Sequence, residues 1–148
     1  MVLGAAFDLW TKKAVFEWLG DQYPPVHVVV SGFLRIVVAE NTGAAFGIAS
    51  GQKILLLCIS SAAVIAVIYF FLFGRDRKTP LTIALALFLA GIIGNAYDRI
   101  FNEGRVRDFI DVYYKDWHWP AFNVADSLLC IAVFLLFITS LSRTSRRS

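Results

Sequence analysis

Two long apolar runs constrain this chain more than any other feature of its sequence. Residues 54–73 contain no charged side chain, and residues 121–141 contain one, Asp126. Each run is about as long as the ~20 residues that an α-helix needs to cross the hydrocarbon core of a bilayer. The 148 residues are 58% hydrophobic and 17% charged, whereas soluble domains carry about 25% charged residues. The sequence therefore predicts an integral membrane protein with a single domain, residues 1–148.

Two further segments complete the predicted membrane helices. Residues 81–97 are apolar up to Asn95 and end in a polar cluster. Residues 2–7 are also apolar, but Asp8 and Lys12 follow at once, so the first helix is predicted to be truncated. The predicted fold is mainly α, a four-helix transmembrane bundle.

The distribution of basic residues predicts the orientation of this bundle. The link at residues 74–80 (GRDRKTP) and the tail after residue 141 are rich in Arg and Lys. The positive-inside rule places both on the cytoplasmic side. Residues 26–46 then lie outside the cytoplasm. They are rich in β-branched residues and interrupted at Ser31 and Gly32, which predicts a hairpin in a small extracytoplasmic β-platform.

Several other classes of protein do not fit the sequence. The basic residues form no cluster with interleaved aromatic residues, so no nucleic-acid partner is predicted. Cys58 and Cys130 lie within apolar runs and are predicted to be small buried hydrophobic residues. The two histidines lack metal-binding spacing, and the sequence predicts neither a metal nor another cofactor.

Two aspartates, Asp108 and Asp126, are the candidate chemical groups. A charged residue at the centre of a membrane helix costs at least about 2.5–3.5 kcal/mol, so Asp126 is predicted to be functional. If the loop at residues 111–120 folds back, the two carboxylates meet and share a proton. One can then take a proton from water while the other polarises a carbonyl, as in aspartic proteases. The alternative is structural: Asp108 caps a helix or turn, and Asp126 pairs with Arg99.

The neighbouring polar residues also have two interpretations. Asn123 lies on the same helix face as Asp126, where it either orients a carboxylate or ties helices together. Asn95 and Arg99 are one turn apart, and Arg99 either neutralises a carboxylate or extends towards the membrane interface.

The remaining polar and small residues predict structural roles. Asp8 and Lys12, at positions i and i+4, predict an ion pair on a helix surface. Asp98 is predicted to be structural, and Gly91 and Gly94 to allow close helix packing.

Four ordered sequence blocks resemble one known family. FDLWTKK (7–13) fits the pattern D-x-x-[ST]-K, and NTGAAFG (41–47) fits N-x-G-x-[AS]-F. GNAYDR (94–99) fits G-N-x-x-D-R, and VRDFIDVYYKDWHWPAFNVADS (106–127) carries V-x-D-F-I-D followed by F-N-x-A-D. Together they resemble the bacterial lipoprotein signal peptidases, or signal peptidase II.

This resemblance implies an aspartic endopeptidase with Asp108 and Asp126 as its catalytic pair. The other family site positions fall on Asn41, Asn95, Arg99, Asn123 and Ala125, with Asp8 in support. The implied enzyme is a monomer in the inner membrane, with an extracytoplasmic β-cradle and a cytoplasmic C-terminus. Its substrate is a diacylglyceryl-modified prolipoprotein, cleaved just before the lipidated cysteine, and globomycin-type cyclic peptides inhibit it.

Two other functions remain open from the residues alone. One is a transport or channel subunit in which Asp126 and Arg99 relay ions, although transporter sites lie near the midplane and these polar groups cluster at one end of the spans. The other is a structural membrane protein without catalysis.

Overall fold

A computed structural model describes residues 1–44, 47–74 and 79–144 of the chain. The elements in chain order are α1 (Val2–Leu19), β1 (Val26–Val30), β2 (Leu34–Asn41), α2 (Lys53–Phe73), α3 (Thr79–Phe101), β3 (Val106–Tyr114), β4 (Trp117–His118) and α4 (Val124–Thr144). The prediction of a mainly helical protein with four helices and a small β-platform is confirmed.

Helix α3 lies at the centre of the bundle and packs against α1, α2 and α4. Within the described residues, α2 and α3 are long and apolar enough to cross a membrane, and α4 is apolar over Val124–Ser140. The outer faces of the helices expose large apolar side chains such as Ile65 and Phe134. Cys58 and Cys130 are also exposed on these faces, so the prediction that both are buried is wrong. Lipid tolerates apolar surface that water does not, which explains outward-facing apolar residues in a membrane protein.

Helix α1 extends beyond the apolar residues 2–7. It continues through the charges that follow residue 7 and ends at Leu19, a helix of 18 residues. The helix persists because Asp8 and Lys12 are both fully buried and paired inside the protein. Helix α1 begins at Val2, and it is not among the described helices that are long and apolar enough to cross a membrane.

The sheet is antiparallel, with the strands in the order β1-β2-β3-β4. Its first two strands form the predicted hairpin, with the turn at residues 31–33. Strand β3 was not predicted, because Asp108 and Asp111 occupy buried positions and remove the apolar alternation that identifies a strand. Asp108 pairs with Ala39 in this register, close to Asn41 at the end of β2.

The chain then returns from β3 to the start of α4. The Ile110 and Phe122 backbones exchange two hydrogen bonds of 2.8 and 3.0 Å, and β4 pairs back on β3. The prediction that residues 111–120 fold back is confirmed, and this return brings the first turn of α4 next to Asp108. The basic side chains used to predict orientation lie outside the described residues.

Candidate active site

Asn123 and Asp126 form a reciprocal cap at the N-terminus of α4. The Asp126 N–H donates to Asn123 Oδ1 at 3.0 Å, and the Asn123 N–H donates to Asp126 Oδ2 at 3.2 Å. This is a capping box, which satisfies two N–H groups that the first turn of a helix leaves unpaired. The F-N-x-A-D block therefore fixes the position of the Asp126 carboxylate through local structure.

The Asn123 side chain also connects the two candidate carboxylates. Its Nδ2 donates to Asp108 Oδ1 at 2.6 Å and to Asn95 Oδ1 at 3.1 Å. Asn95 Nδ2 in turn donates to Asp126 Oδ1 at 2.8 Å. Two side-chain amides thus hold Asp108 of β3 and Asp126 of α4 in one hydrogen-bonded group.

The environment of Asp108 favours its protonated form. Its side chain is buried, and burial, followed by the negative charge of Asp126, raises the pKa of Asp108 to about 7. Hydrogen bonds from Asn123 and Asn41 oppose this shift because they stabilise the ionised form. Asp108 therefore carries a proton over part of the neutral pH range, as an acid in an aspartic dyad must.

Arg99 holds the loop that follows β2. Its guanidinium donates to the Gly43 carbonyl at 2.8 Å and to the Asn95 carbonyl at 3.3 Å. It makes no ion pair within 4.0 Å of a described carboxylate, so the alternative of a structural pair with Asp126 is wrong. The loop starts with Asn41, whose Oδ1 accepts the Gly43 N–H at 2.8 Å. Gly43 fits there because a Cβ atom would lie 2.8 Å from the Ile48 carbonyl oxygen.

A buried ionic cluster lies behind the two carboxylates. Lys12 Nζ is 2.8 Å from Asp8 Oδ2 and 3.3 Å from Asp98 Oδ2, and all three side chains are fully buried. Asp98 also accepts three hydrogen bonds from Arg107, one from its N–H and two from its guanidinium. The predicted Asp8–Lys12 pair does form, but inside the protein, so the predicted surface position is wrong.

This cluster is tied to the first turn of α4 by close packing. Asp8 Oδ1 accepts the Ala125 N–H at 2.7 Å. A Cβ atom at Gly91 would lie 2.6 Å from the Ala125 carbonyl oxygen, and one at Gly94 would collide with the Asp8 carboxylate. The prediction that Gly91 and Gly94 allow close packing is confirmed.

A cavity of about 1000 Å³ opens onto Asp108 and Asp126. Residues 39–42, at the end of β2 and in the loop after it, form one wall, and Trp119 and Phe122 form part of another. The cavity continues along α4 past Leu129 and Ile131, and Ile131 is half exposed on the outer surface of the bundle. The lining is mainly apolar. In such a site one ionised and one protonated carboxyl group can activate a water molecule to attack a peptide bond.

The sequence matches known proteins along almost its whole length. A family model described as signal peptidase (SPase) II matches residues 1–142. The chain belongs to the signal peptidase II family. A lipoprotein signal peptidase of Rhodopirellula baltica is 39% identical, over 94% of this chain and 68% of the relative. One of Bacillus pumilus is 41% identical, over 90% of this chain and 84% of the relative.

The structure agrees with this membership. It is similar to a bacterial membrane enzyme solved by the in meso method at 2.3 Å resolution, with a TM-score of 0.88 and 35% identity over 99% of this chain and 88% of that one. A second such structure, at 1.9 Å resolution, has a TM-score of 0.81 and 35% identity over 95% and 88% of the two chains. The predictions of a membrane protein and of a signal peptidase II type aspartic endopeptidase are confirmed.

The site positions predicted from the motifs all lie in or beside this group, with roles that differ. Asn41, Asp108 and Asp126 line the cavity. The supporting side chains lie behind or beside them: Asn95, Asn123, Arg99, Ala125 and Asp8. Lys12 and Arg107 were missed as members of the site. For Lys12 the available signal was its position in the D-x-x-[ST]-K block. Its spacing from Asp8 gave none, because an exposed and a buried ion pair have the same i, i+4 spacing.

Proposed function

We propose that this chain cleaves diacylglyceryl-modified prolipoproteins just before the lipidated cysteine, with Asp108 and Asp126 as its catalytic residues. The observation that carries this proposal is the hydrogen-bonded group of two carboxylates at the wall of one large, mainly apolar cavity. Family membership supports the reaction class, and the geometry supports the roles proposed for the two aspartates.

Asp126 is the general base in this proposal. It accepts hydrogen bonds from Asn95 Nδ2 and from the Asn123 N–H, and it lies in the first turn of α4. These donors hold the carboxylate at the cavity wall, where it can take a proton from water. Asp108, with its raised pKa, starts as the protonated partner and donates to the substrate carbonyl oxygen.

The reaction then follows from these two protonation states. Asp126 takes a proton from water as the water oxygen attacks the carbonyl carbon before the lipidated cysteine. The proton of Asp108 passes to the carbonyl oxygen, which gives a neutral tetrahedral diol. Asp126 passes its proton to the cysteine nitrogen as the C–N bond breaks, and a diol hydroxyl returns a proton to Asp108. The products are a signal peptide with a new carboxyl group and a lipidated cysteine with a free amine.

The shape of the cavity supports a substrate that carries lipid. The sheet wall at residues 39–42 lies next to the catalytic pair, where an extended peptide could pass. The opposite end reaches the outer surface of α4, where acyl chains could lie among Leu129, Cys130 and Ile131. A substrate anchored by its lipid would thus present its peptide bond at the edge of the bilayer.

The proposal includes the placement of the protein in the membrane. All four helices cross the inner membrane as one domain, the sheet and the catalytic pair lie on the extracytoplasmic side, and the C-terminus is cytoplasmic. Apolar outer surfaces on α2 and α4 support the spans, and the basic link and tail support the orientation. The enzyme acts as a monomer, and globomycin-type cyclic peptides inhibit it by occupying the cavity.

Processing in cells tests the proposal. A strain depleted of its own lipoprotein signal peptidase receives the wild-type chain, Asp108→Asn or Asp126→Asn. Wild type restores the mature lipoprotein, whereas each variant accumulates in the membrane and leaves the precursor uncut. The exposed Asp116 provides a matched control, because Asp116→Asn removes a carboxylate outside the cavity and keeps processing. Normal processing by either catalytic variant would refute the assignment.

A further inference from the structure

We propose that Lys12 is a positioning residue, which orients the side-chain amide of Asn95 and so the hydrogen bond that Asn95 donates to Asp126. The inference rests on the proposed function, because it assigns Lys12 a role only if Asp126 is catalytic. Lys12 lies on α1, Asn95 on α3 and Asp126 on α4, so the connection runs through three helices.

The contacts of Lys12 show what its ammonium group holds. Besides Asp8 and Asp98, its Nζ contacts Asn95 Oδ1 at 3.0 Å, and it is fully buried. Its contacts with the two carboxylates are ion pairs, and its N–H hydrogen bond goes to Asn95 Oδ1. The two carboxylates neutralise the buried positive charge of Lys12. The third contact, to a neutral amide oxygen, has a different effect: it selects one orientation of the Asn95 side chain.

That orientation matters because the two ends of an amide have nearly the same shape and opposite hydrogen-bonding character. Asn95 Nδ2 lies 2.8 Å from Asp126 Oδ1. A flipped amide would place an oxygen against that carboxylate. Lys12 can only donate, so it keeps the amide oxygen on its own side and the nitrogen towards Asp126. Asn123 Nδ2 also donates to Asn95 Oδ1, at 3.1 Å, and reinforces the same orientation.

Lys12 acts at a distance from the substrate. It is absent from the described residues that line the cavity, and Asn95 lies between Lys12 and Asp126. Loss of Lys12 should therefore lower kcat much more than it changes KM. Misplacement of a catalytic group by about 1 Å can reduce the rate by about 10²-fold, and we expect a fall of that order.

In the test variants, the loss of the positive charge of Lys12 is balanced by the loss of the negative charge of Asp8. Lys12→Met alone would leave an excess buried carboxylate, so the cycle is built in an Asp8→Asn background. The side-chain amide oxygen introduced by this substitution can still accept the Ala125 N–H, as the Asp8 carboxylate does. The four proteins carry Asp8→Asn alone, with Lys12→Met, with Asn95→Ala, and with both. Kinetic constants are measured per folded molecule on a diacylglyceryl lipopeptide in detergent, with the melting temperature of each variant.

We expect Lys12→Met to lower kcat about 10²-fold when Asn95 is present and by less than about twofold when it is combined with Asn95→Ala. This non-additivity is the sign of a residue that acts through its neighbour. Equal losses in both backgrounds, no loss of kcat from Asn95→Ala, or a change in folded yield alone would each overturn the inference. Lys13→Met, on a side chain that is 68% exposed, is the control for removing a lysine charge from α1. If wild type fails to cleave the lipopeptide, the proposed function fails instead.

Discussion

Replacement of Asn123 separates the two roles that this residue has at the site. Its side-chain oxygen caps α4, and its side-chain nitrogen donates to Asp108 at 2.6 Å. Serine is as good a helix cap as asparagine, but its hydroxyl is too short to reach Asp108 as well. Asn123→Ser therefore removes the bond to Asp108 and keeps the cap, whereas Asn123→Ala removes both.

The expected magnitudes follow from these two interactions. Both variants lose the bonds of the Asn123 side-chain nitrogen, but only Asn123→Ala also loses the cap, so it should be less stable than Asn123→Ser by about 1 kcal/mol. A hydrogen bond to a charged group contributes about 1.5–3 kcal/mol, which corresponds to about 1–2 pH units. The Asn123 bond stabilises ionised Asp108 and lowers its pKa. Both variants should therefore raise the pKa of Asp108 from its value of about 7 by one unit or more.

The assay is the pH dependence of kcat/KM for a diacylglyceryl lipopeptide. If Asp108 must be protonated in the free enzyme, activity falls at high pH as Asp108 loses its proton. We expect this upper limb to move to higher pH by a similar amount in Asn123→Ser and Asn123→Ala, while the alanine variant is less stable than the serine variant by about 1 kcal/mol. An upper limb that stays in place or moves to lower pH would refute the assignment of Asp108 as the acid.

Two further predictions concern stability. Because the pKa of Asp108 is higher in the folded protein, about 7, than in an unfolded chain, about 3.9, the folded state loses stability as pH rises through this interval. Asp108→Asn cannot ionise, so its melting temperature should exceed that of wild type at pH 8 and the difference should shrink at pH 5; an equal or lower value at pH 8 would contradict this reasoning. Gly91→Ala places a methyl group 2.6 Å from the Ala125 carbonyl oxygen and should cost about 1–3 kcal/mol in denaturation experiments. Gly4→Ala, with its nearest neighbour at 3.1 Å, should cost less, and the reverse order would contradict the packing account.

The sequence predicts those parts of the fold in which the surrounding solvent or the backbone conformation directly determines the pattern of residues. Lipid requires long apolar segments, so residues 54–73 and 121–141 identify α2 and most of α4 directly. The β-branched run with Ser31 and Gly32 likewise identifies the first hairpin. Asp126 was identifiable as a candidate site residue because a charge within a membrane span is costly.

The remaining features depend on contacts between distant parts of the chain. Strand β3 was missed because its buried positions hold aspartates, which bind partners on other elements. The burial of Lys12 depends on Asn95 and Asp98 of α3, more than eighty residues away in sequence. No pattern within α1 distinguishes this arrangement from an ordinary surface ion pair. The motif resemblance predicted which residues form the site, and only the fold shows which of them line the cavity.

The central claim is that Asp108 and Asp126 together cleave one particular bond. The most direct measurement is mass spectrometry of the products after purified protein is incubated with a synthetic diacylglyceryl prolipoprotein peptide. We predict two products, a signal peptide that ends just before the lipidated cysteine and a peptide that begins with it, and neither product with Asp108→Asn or Asp126→Asn. Cleavage at another bond, or these same products from either variant, would contradict the account.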